Sequence, residues 1–312
     1  MNTARGPALI TLLVTLGLAT SCDLAAADAN RPSTAPTFRP YERPVTTWVA
    51  PYAIAESKAR LLEQSGIKEA LTHLALQFWI PTESAGVELA KKQGATEAAV
   101  VELRDWAHAS GIRVMLCVYN AGGGKWDWPL ARSAFAKNGE AFAKNLVAEV
   151  ERLGLDGVDI DLEGNGSFDA DKAAFVTFMT NLSKQLHDRG KHLTVDTFSY
   201  EWNAPNQTWW PQLLPLVDGL TTMGYESIGA SAPEWRAYAA QRDAAGSNAA
   251  KLQIGMPSSK DNWKGNTALE QLEWVKTDGK TGVAIWDAQF KSAAWQRPEV
   301  WAALKAIRGE GR

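Results

Sequence analysis

The chain has 312 residues, 46% of them hydrophobic and 21% charged, with a formal net charge of −3 at pH 7. This length allows one large domain or two small ones, with enough apolar residues for a substantial core. The absence of a basic excess argues against nucleic acid as a partner.

The first 22 residues have the pattern of an export signal. Arg5 gives a positive start, and the apolar run Ala8 to Ala19 is too short for a transmembrane helix. The sequence 18–22, Leu-Ala-Thr-Ser-Cys, resembles a bacterial lipoprotein cleavage box with Cys22 as the lipidated residue. We therefore predict a cell-envelope lipoprotein held at the membrane by this anchor alone. The alternative is cleavage after Ala25–Ala27, which would leave a secreted or periplasmic soluble protein.

Residues 23–44 are predicted to be a semi-stiff linker, because prolines recur among small polar residues. A single domain is expected from residue 45 to residue 308. If Cys22 is acylated, Cys117 has no disulfide partner, and its apolar neighbours predict a buried, inert thiol. The four histidines are scattered without zinc-type spacing.

Short apolar runs alternate with helix-like segments from residue 45 onward. The predicted strands are Thr46–Ala50, Leu71–Phe78, Arg113–Val118, Gly157–Leu162, His192–Thr197, Gly219–Met223, Leu252–Met256 and Val283–Trp286. The predicted helices include Ala131–Leu153, Asp171–His187, Ala268–Lys276 and a last helix over 296–308. Eight such units predict an α/β fold, a single-domain (β/α)8 TIM barrel. An open doubly wound sheet is the alternative, but it would be expected to have a glycine-rich turn after the first strand. The sequence 50–53, Ala-Pro-Tyr-Ala, is not such a turn.

The fourth predicted strand carries a row of acids. Within Gly157–Glu163 the even-numbered residues are aliphatic, whereas Asp159, Asp161 and Glu163 fall on the opposite face. Same-face Cα atoms lie ~6.6–7 Å apart, so the acids climb toward the C-terminal end of the strand. Close carboxylates cannot all be ionised, which suits a general acid with a raised pKa. A divalent-metal site and a solvated edge strand are the alternatives.

Barrel active sites lie at the C-terminal ends of the strands, and aromatic and polar residues follow most of these strands. The 14 tryptophans are well above ordinary usage. Most should pack in the core, but indole rings also stack on the C–H faces of sugars.

Residues Asp156-x-x-Asp159-x-Asp161-x-Glu163 match the D-x-x-D-x-D-x-E signature of glycoside hydrolase family 18, the chitinases and endo-β-N-acetylglucosaminidases. The sequence 120–123, Asn-Ala-Gly-Gly, resembles the family's S-x-G-G element, with asparagine where serine is usual. The sequence 223–226, Met-Gly-Tyr-Glu, resembles its M-x-Y-D element, with glutamate where aspartate or asparagine is usual. Trp286 matches the tryptophan that ends strand eight. The resemblance spans about residues 45–308.

This resemblance implies a retaining, substrate-assisted mechanism in which the sugar's 2-acetamido oxygen attacks C1. Glu163 would protonate the leaving oxygen and later act as the base toward water. Asp161 would hold the acetamido N–H and share a proton with Asp159. Tyr225 would donate its hydroxyl to the acetamido carbonyl, and Trp286 would form the floor of the sugar site. Asp156 is expected to be structural.

The resemblance and the positions after the strands together define candidate contacts for a glycan that contains β-1,4-linked N-acetylglucosamine (GlcNAc). The substrate-binding candidates are Trp286, Met223, Glu226, Gly122, Gly123, Asn120, Phe78 and Trp126, with Trp128, Trp202, Trp209 and Trp210 as further possible subsites. No cofactor or metal is implied, and a monomer is expected. The segment after strand seven is too short for the inserted α+β subdomain of many relatives, which predicts an open groove. Chito-oligosaccharides, N-glycan core chitobiose and peptidoglycan remain open as substrates, as do a non-catalytic lectin and a metal-dependent barrel enzyme.

Overall fold

The structure is a computed structural model that describes residues 36–122, 125–164, 169–197, 207–223, 236–263 and 265–311. The predicted signal segment with Cys22, and the first part of the predicted linker, lie outside these ranges. None of the helices in the described ranges is both long and apolar enough to cross a membrane.

Eight parallel strands close into a barrel. They are β1 (Val45–Val49), β2 (His73–Pro81), β3 (Arg113–Tyr119), β4 (Gly157–Asp161), β5 (His192–Thr197), β6 (Gly219–Thr222), β7 (Leu252–Pro257) and β8 (Gly282–Trp286). Each strand pairs with the next along the chain, and β1 also pairs with β8. The predicted (β/α)8 barrel is therefore confirmed, with the strand ends within a few residues of the predicted ones.

Helices surround the strands. They are α1 (Ile54–Glu63), α2 (Ile67–Ala70), α3 (Glu97–Ala109), α4 (Trp128–Arg132), α5 (Gly139–Leu153), α6 (Lys172–His187), α7 (Trp210–Leu213), α8 (Arg236–Ala245), α9 (Ala268–Asp278) and α10 (Pro298–Arg308). The predicted helix Ala131–Leu153 is in fact interrupted by a π-helical turn at Ser133–Lys137. Asn138 leaves the helical conformation there, and its side-chain N–H₂ donates to the Ser133 carbonyl at 3.1 Å. π-Helical turns occur mostly as single-turn interruptions of this kind within α-helices.

Three short antiparallel strand pairings follow the C-terminal ends of barrel strands. Val87–Leu89 adds to β2 in antiparallel orientation, and Ala121–Gly122 pairs with Lys125–Trp126. After β7, Asn262–Trp263 pairs with Asn266–Thr267, and α9 begins directly afterwards. The connection from β7 to α9 thus holds no inserted α+β subdomain, as predicted.

Two apolar layers follow from the alternation of the strands. Outward-facing residues, including Val158 and Ile160 of β4, pack against the helices in one large core. A small second cluster lies inside the barrel and contains Trp48, Met115 and Cys117. Cys117 is a buried free thiol, as the sequence predicts. Period-two alternation therefore separates an apolar exterior from an interior that accepts polar groups.

The N-terminal end of the barrel is covered by the last part of the predicted linker. The Glu42 backbone N–H donates to the Arg308 carbonyl at 2.9 Å, and the Arg308 guanidinium donates to the Pro40 carbonyl at 2.7 Å. Beneath this segment, His73 Nε2 and His192 Nδ1 lie 3.3 Å apart. Residues 40–42 therefore contact the barrel around a pair of histidines.

The histidine pair predicts acid sensitivity of the fold. Burial, with His192 and Arg113 nearby, lowers the pKa of His73 well below its usual value. Burial also lowers the pKa of His192 to about 4, although Asp218 partly opposes it and Arg113 adds to it. In the unfolded chain both rings would titrate near ~6.5, so the unfolded state binds more protons below that pH. Stability is therefore full above about pH 6.5 and falls toward pH 4.

We expect His192→Gln to flatten this dependence. The melting temperature of the variant should fall less than that of the wild type between about pH 7 and pH 4.5, because one proton-uptake site is gone. Calorimetric scans across this range measure the slope independently of the absolute stability. Thr180→Ala, which alters an exposed and non-titrating side chain of α6, is the control and should keep the wild-type slope. Equal slopes for His192→Gln and the wild type would contradict the prediction.

Candidate active site

The acids of β4 point into the barrel near the C-terminal ends of its strands. In register, Asp161 lies beside Tyr119 of β3, and Asp159 lies beside Thr194 of β5. All three acids are buried, and Glu163 is the most exposed of them at 8%. The predicted two-faced strand is confirmed, with Glu163 closest to the opening.

Asp159 is surrounded by donors. Its Oδ2 accepts from the Trp48 indole N–H at 2.8 Å, and its Oδ1 accepts from the Thr194 hydroxyl at 2.5 Å. The Cys117 thiol also donates to this carboxylate. Burial raises the pKa of Asp159, and the hydrogen bonds from Thr194 and Trp48 oppose that rise. The donors therefore favour an ionised Asp159.

Asp161 connects the inner acid to the outer one. Its Oδ2 accepts from the Gln77 side-chain N–H₂ at 2.7 Å, and its carboxylate also hydrogen-bonds Glu163. Burial raises the pKa of Asp161 to about 6, while the bonds from Glu163 and Gln77 oppose this rise and the charge of Asp159 adds to it. Gln77 was not among the sequence candidates.

Glu163, at the opening of the site, has a raised pKa. Burial raises its pKa well above the usual value, and the adjacent Asp161 charge raises it further. The side chains of Glu163 and Asp161 interact directly with each other. The sharing of a proton between Asp159 and Asp161 stays a prediction. A carboxylic acid at the mouth of the site suits proton donation to a leaving group.

Asn120 holds the backbone of Glu163. Its Oδ1 accepts from the Glu163 N–H at 2.7 Å, and its Nδ2 donates to the Glu163 carbonyl at 2.7 Å. Asn120 is fully buried, so the prediction of a substrate contact is wrong for the described conformation. Just beyond Asp161, the Asn120 amide makes the two hydrogen bonds that a neighbouring strand would otherwise make. It thereby fixes the backbone position of Glu163.

A pocket of about 220 Å³ lies above the acids. It is lined by Gln77, Trp126, Asp161, Glu163, Asp196, Met223 and Trp286. Three of the sequence candidates for substrate contact, Trp126, Met223 and Trp286, therefore border the same space as two of the candidate catalytic acids. The Trp286 ring also packs on Trp48, with centroids 6.1 Å apart.

A second pocket of about 300 Å³ shares Gln77, Trp126 and Trp286 with the first. Tyr52 and Lys125 are among its other lining residues. Tyr52 is 67% exposed and Trp126 is 36% exposed, so aromatic rings stand on the rim of the groove. Exposed aromatic rings beside a groove offer apolar faces on which sugar rings can stack.

Phe78 does not reach this groove. It is fully buried in the core between the strands and the helices, so the prediction of a substrate contact is wrong. The register of β2 against β3 shifts between Leu76 and Trp79. Gln77, one residue earlier, faces the barrel interior instead and binds Asp161.

Three further tryptophan candidates are structural, namely Trp128, Trp209 and Trp210. All three are buried. The Trp128 indole N–H donates to Asp171 at 2.8 Å, and that of Trp210 donates to Thr197 at 2.9 Å. A buried indole with a satisfied N–H has its ring and its donor both occupied by the protein, so their prediction as subsites is wrong.

Asp156 has the structural surroundings expected of it. Its Oδ2 accepts from the Val114 backbone N–H at 2.8 Å and lies 2.7 Å from His108 Nε2. Gly122 belongs to the hairpin with Lys125–Trp126 that places Trp126 at the groove. The remaining candidates, Gly123, Trp202, Tyr225 and Glu226, lie outside the described residues, so their contacts stay predictions.

Asp196 is a functional candidate that the sequence reasoning missed. It lies on β5, is 2% exposed and lines the same pocket as Glu163. The available signal was alternation, because Thr194 and Asp196 fall on one face of the strand. A single acid in an apolar strand is a weaker pattern than the row in β4.

One group among the described residues has the spacing to hold a metal ion. Its ligand atoms belong to Cys117, Asp161 and Asp196 and lie within 4.8 Å of one another. Metal binding requires the thiolate. Burial, with the nearby Asp159 and Asp161 charges, instead raises the pKa of Cys117 well above its usual value. The group therefore fits protonated side chains better than a metal.

Asn120→Ala should lower the free energy of unfolding by about 2–4 kcal/mol, because it leaves a buried N–H and a buried carbonyl of Glu163 without partners. Urea unfolding of the purified protein measures this change. Asn145→Ala is the matched control, since it removes one part-buried hydrogen bond, to the Ala85 carbonyl, and should cost less. If the two variants lose equal stability, Asn120 does not hold the backbone as described.

Comparison with known proteins gives the family. The model of glycosyl hydrolases family 18 matches residues 49–306. The GH18 chitinase ChiB from the chitin utilization locus of Flavobacterium johnsoniae shares 18% identity with a TM-score of 0.61, covering 86% of this chain and 94% of that one.

Two further solved structures have the same fold. A chitinase from Bacteroides thetaiotaomicron shares 14% identity with a TM-score of 0.64, covering 86% of this chain and 95% of that one. The Bacillus cereus spore cortex-lytic enzyme SleL shares 14% identity with a TM-score of 0.63, covering 86% of this chain and 75% of that one. At these identities the likeness shows the fold alone, whereas the family match spans nearly the whole barrel. The chain belongs to glycosyl hydrolases family 18.

Proposed function

We propose that this protein is a monomeric glycosidase that cleaves β-1,4-linked glycans containing N-acetylglucosamine, with retention of configuration and with the sugar's acetamido group as nucleophile. The observation that carries this proposal is the pair of Glu163, whose pKa is raised, and Asp161 in one pocket that Trp126 and Trp286 also line. It supplies both a proton donor and an adjacent negative charge.

The spacing of these two acids favours a nucleophile from the substrate. Ordinary retaining glycosidases separate the acid and the nucleophile by ~5–5.5 Å, and inverting ones by more. The side chains of Glu163 and Asp161 instead interact directly with each other. Asp161 is thus too close to Glu163 to attack from the opposite face of the sugar.

The residues then take successive roles. Glu163 gives its proton to the glycosidic oxygen, which frees Asp161 to accept the acetamido N–H. The negative Asp161 stabilises the positive charge of the oxazolinium ion. The ionised Glu163 next removes a proton from water, which opens that ion. Tyr225, as the family resemblance implies, would donate to the acetamido carbonyl.

The aromatic side chains and the open form of the groove support the proposed class of substrate. Trp286 offers an aromatic face beside the acids, and Trp126 and Tyr52 extend aromatic surface outward. The short connection after β7 leaves this groove without the wall of an inserted subdomain. The solved relatives include chitinases and a spore cortex-lytic enzyme. We therefore propose chitin-type oligosaccharides or N-glycan core chitobiose as substrates, with peptidoglycan as the third candidate.

A hydrolysis assay on a panel of chito-oligosaccharides, a chitobiose-core glycopeptide and peptidoglycan tests this function. Proton NMR of the first product should show the β anomer. An α anomer formed first would contradict the mechanism. Tight binding of these glycans without hydrolysis of any of them would contradict the enzyme and favour a lectin on the same barrel.

Glu163→Gln keeps the side-chain shape but removes the proton that the leaving oxygen needs. We expect kcat to fall by roughly 10²–10⁴-fold, while binding of the oligosaccharide, measured by calorimetry, changes little. Glu151→Gln is the control, because Glu151 is a half-exposed partner of Arg189 on the surface, and it should keep wild-type activity. Near-normal turnover by Glu163→Gln would show that another group is the acid.

We also propose that Cys22 is acylated and attaches the domain to a membrane. The support is the sequence of the export signal alone. Intact-mass measurement of protein from the membrane fraction should give a lipidated N-terminal cysteine, and Cys22→Ala should abolish membrane fractionation. A lipid-free N-terminus at Asp28 or Ala29 would contradict this proposal.

A further inference from the structure

Four carboxyl groups, not three, meet inside the barrel. Asp196 of β5 joins Asp159, Asp161 and Glu163, and all four are buried. Carboxylate oxygens of Asp196 and Asp161 and the Cys117 sulfur lie within 4.8 Å of one another. The Asp196 side chain also interacts with the Asp159 carboxyl, whose pKa it lowers. Among the ion pairs of the described ranges, none includes any of the four acids, so protons must limit their charge.

The donors around each acid decide where those protons sit. Asp159 accepts from Trp48 and Thr194, and Asp161 accepts from Gln77. These two are therefore the natural anions of the group. Glu163 already donates to Asp161.

One oxygen in the network lacks a well-placed donor. The Oδ1 atom of Asp196 is buried and accepts no hydrogen bond of ordinary geometry among the described residues, and the neighbouring Thr221 hydroxyl opposes only part of the rise in its pKa. An ionised Asp196 would leave that oxygen charged, buried and unpaired, at high cost. A protonated Asp196 avoids this cost and supplies the hydrogen atom for its bond to Asp159. Burial, with the Asp159 and Asp161 charges nearby, accordingly raises the pKa of Asp196 well above its usual value.

We propose that Asp196 is a positioning residue that stays a neutral carboxylic acid and donates its proton to Asp159, so that each inner carboxylate has one acid partner. Asp161 then has no need of Asp159's proton, and it can exchange Glu163 for the acetamido N–H of the substrate. This role rests on the proposed function of the site.

The neutral state of Asp196 also keeps Glu163 acidic enough to release its proton. When Glu163 has given up its proton, three of the four carboxyls are negative and face one positive intermediate. An ionised Asp196 would add a fourth negative charge in the same pocket. Glu163 would then hold its proton too tightly to protonate a leaving oxygen.

Two substitutions separate proton donation from charge. Asp196→Asn keeps a neutral side chain whose N–H₂ can donate to Asp159, so kcat should stay within about threefold of the wild type. Asp196→Ala removes the donor, and kcat should fall at least about tenfold with a smaller change in KM, as expected for a lost hydrogen bond to a charged group. Asp188→Asn, at an exposed partner of Lys184, should leave kcat unchanged. An Asp196→Asn enzyme as slow as Asp196→Ala would overturn the proposal.

An infrared difference spectrum tests the proton without any substrate. The spectrum of the wild type minus that of Asp196→Asn, near pH 7, should contain the C=O band of a protonated carboxyl group. The wild type minus Asp188→Asn should contain carboxylate bands only. A carboxylate band in place of the acid band at Asp196 would overturn the proposal even if hydrolysis is normal. If no glycan is hydrolysed, the proposed function fails, but this spectrum still decides the protonation of Asp196.

Discussion

The free-energy cost of burying negative charge determines which side chains surround the acids inside the barrel. Burial disfavours each ionised carboxyl of the barrel interior, and no cation pairs with one in the described ranges. The charge is therefore limited by protons and spread over neutral donors, among them Trp48, Thr194 and Gln77. Because those donors come from different strands of the barrel, the charge network depends on the closure of the sheet.

The position of the acid depends on an equally simple constraint. β4 ends at Asp161 as a paired strand, yet Glu163 must project two residues further. The buried side chain of Asn120 supplies both hydrogen bonds that a neighbouring strand would have given. The chain can thus leave the sheet without unsatisfied backbone N–H and C=O groups, and Glu163 is held at the mouth of the pocket.

The strands, their order and the acid row could be predicted because each rests on local period-two alternation. Phe78 could have been excluded by the same alternation, because Ala75 and Gln77 face the interior while Leu76 and Phe78 face the helices. Asn120 needed longer-range information, because its amide binds the backbone of Glu163. Asp196 is one acid in an otherwise ordinary strand, and its meaning appears only when β5 lies beside β4. The spacing of residues along one strand predicts which face each side chain takes. Contacts between strands depend on how the barrel closes and cannot be predicted from that spacing.

Trp48 links the two halves of the proposed chemistry. Its indole N–H binds the innermost acid, Asp159, while its ring packs against Trp286 at the floor of the groove. In the proposed function, a sugar on Trp286 would lie against a ring that packs on Trp48, and Trp48 in turn hydrogen-bonds Asp159. The acids rely on the Trp48 ring staying in place to keep Asp159 ionised. Aromatic packing and proton distribution are thus coupled through Trp48.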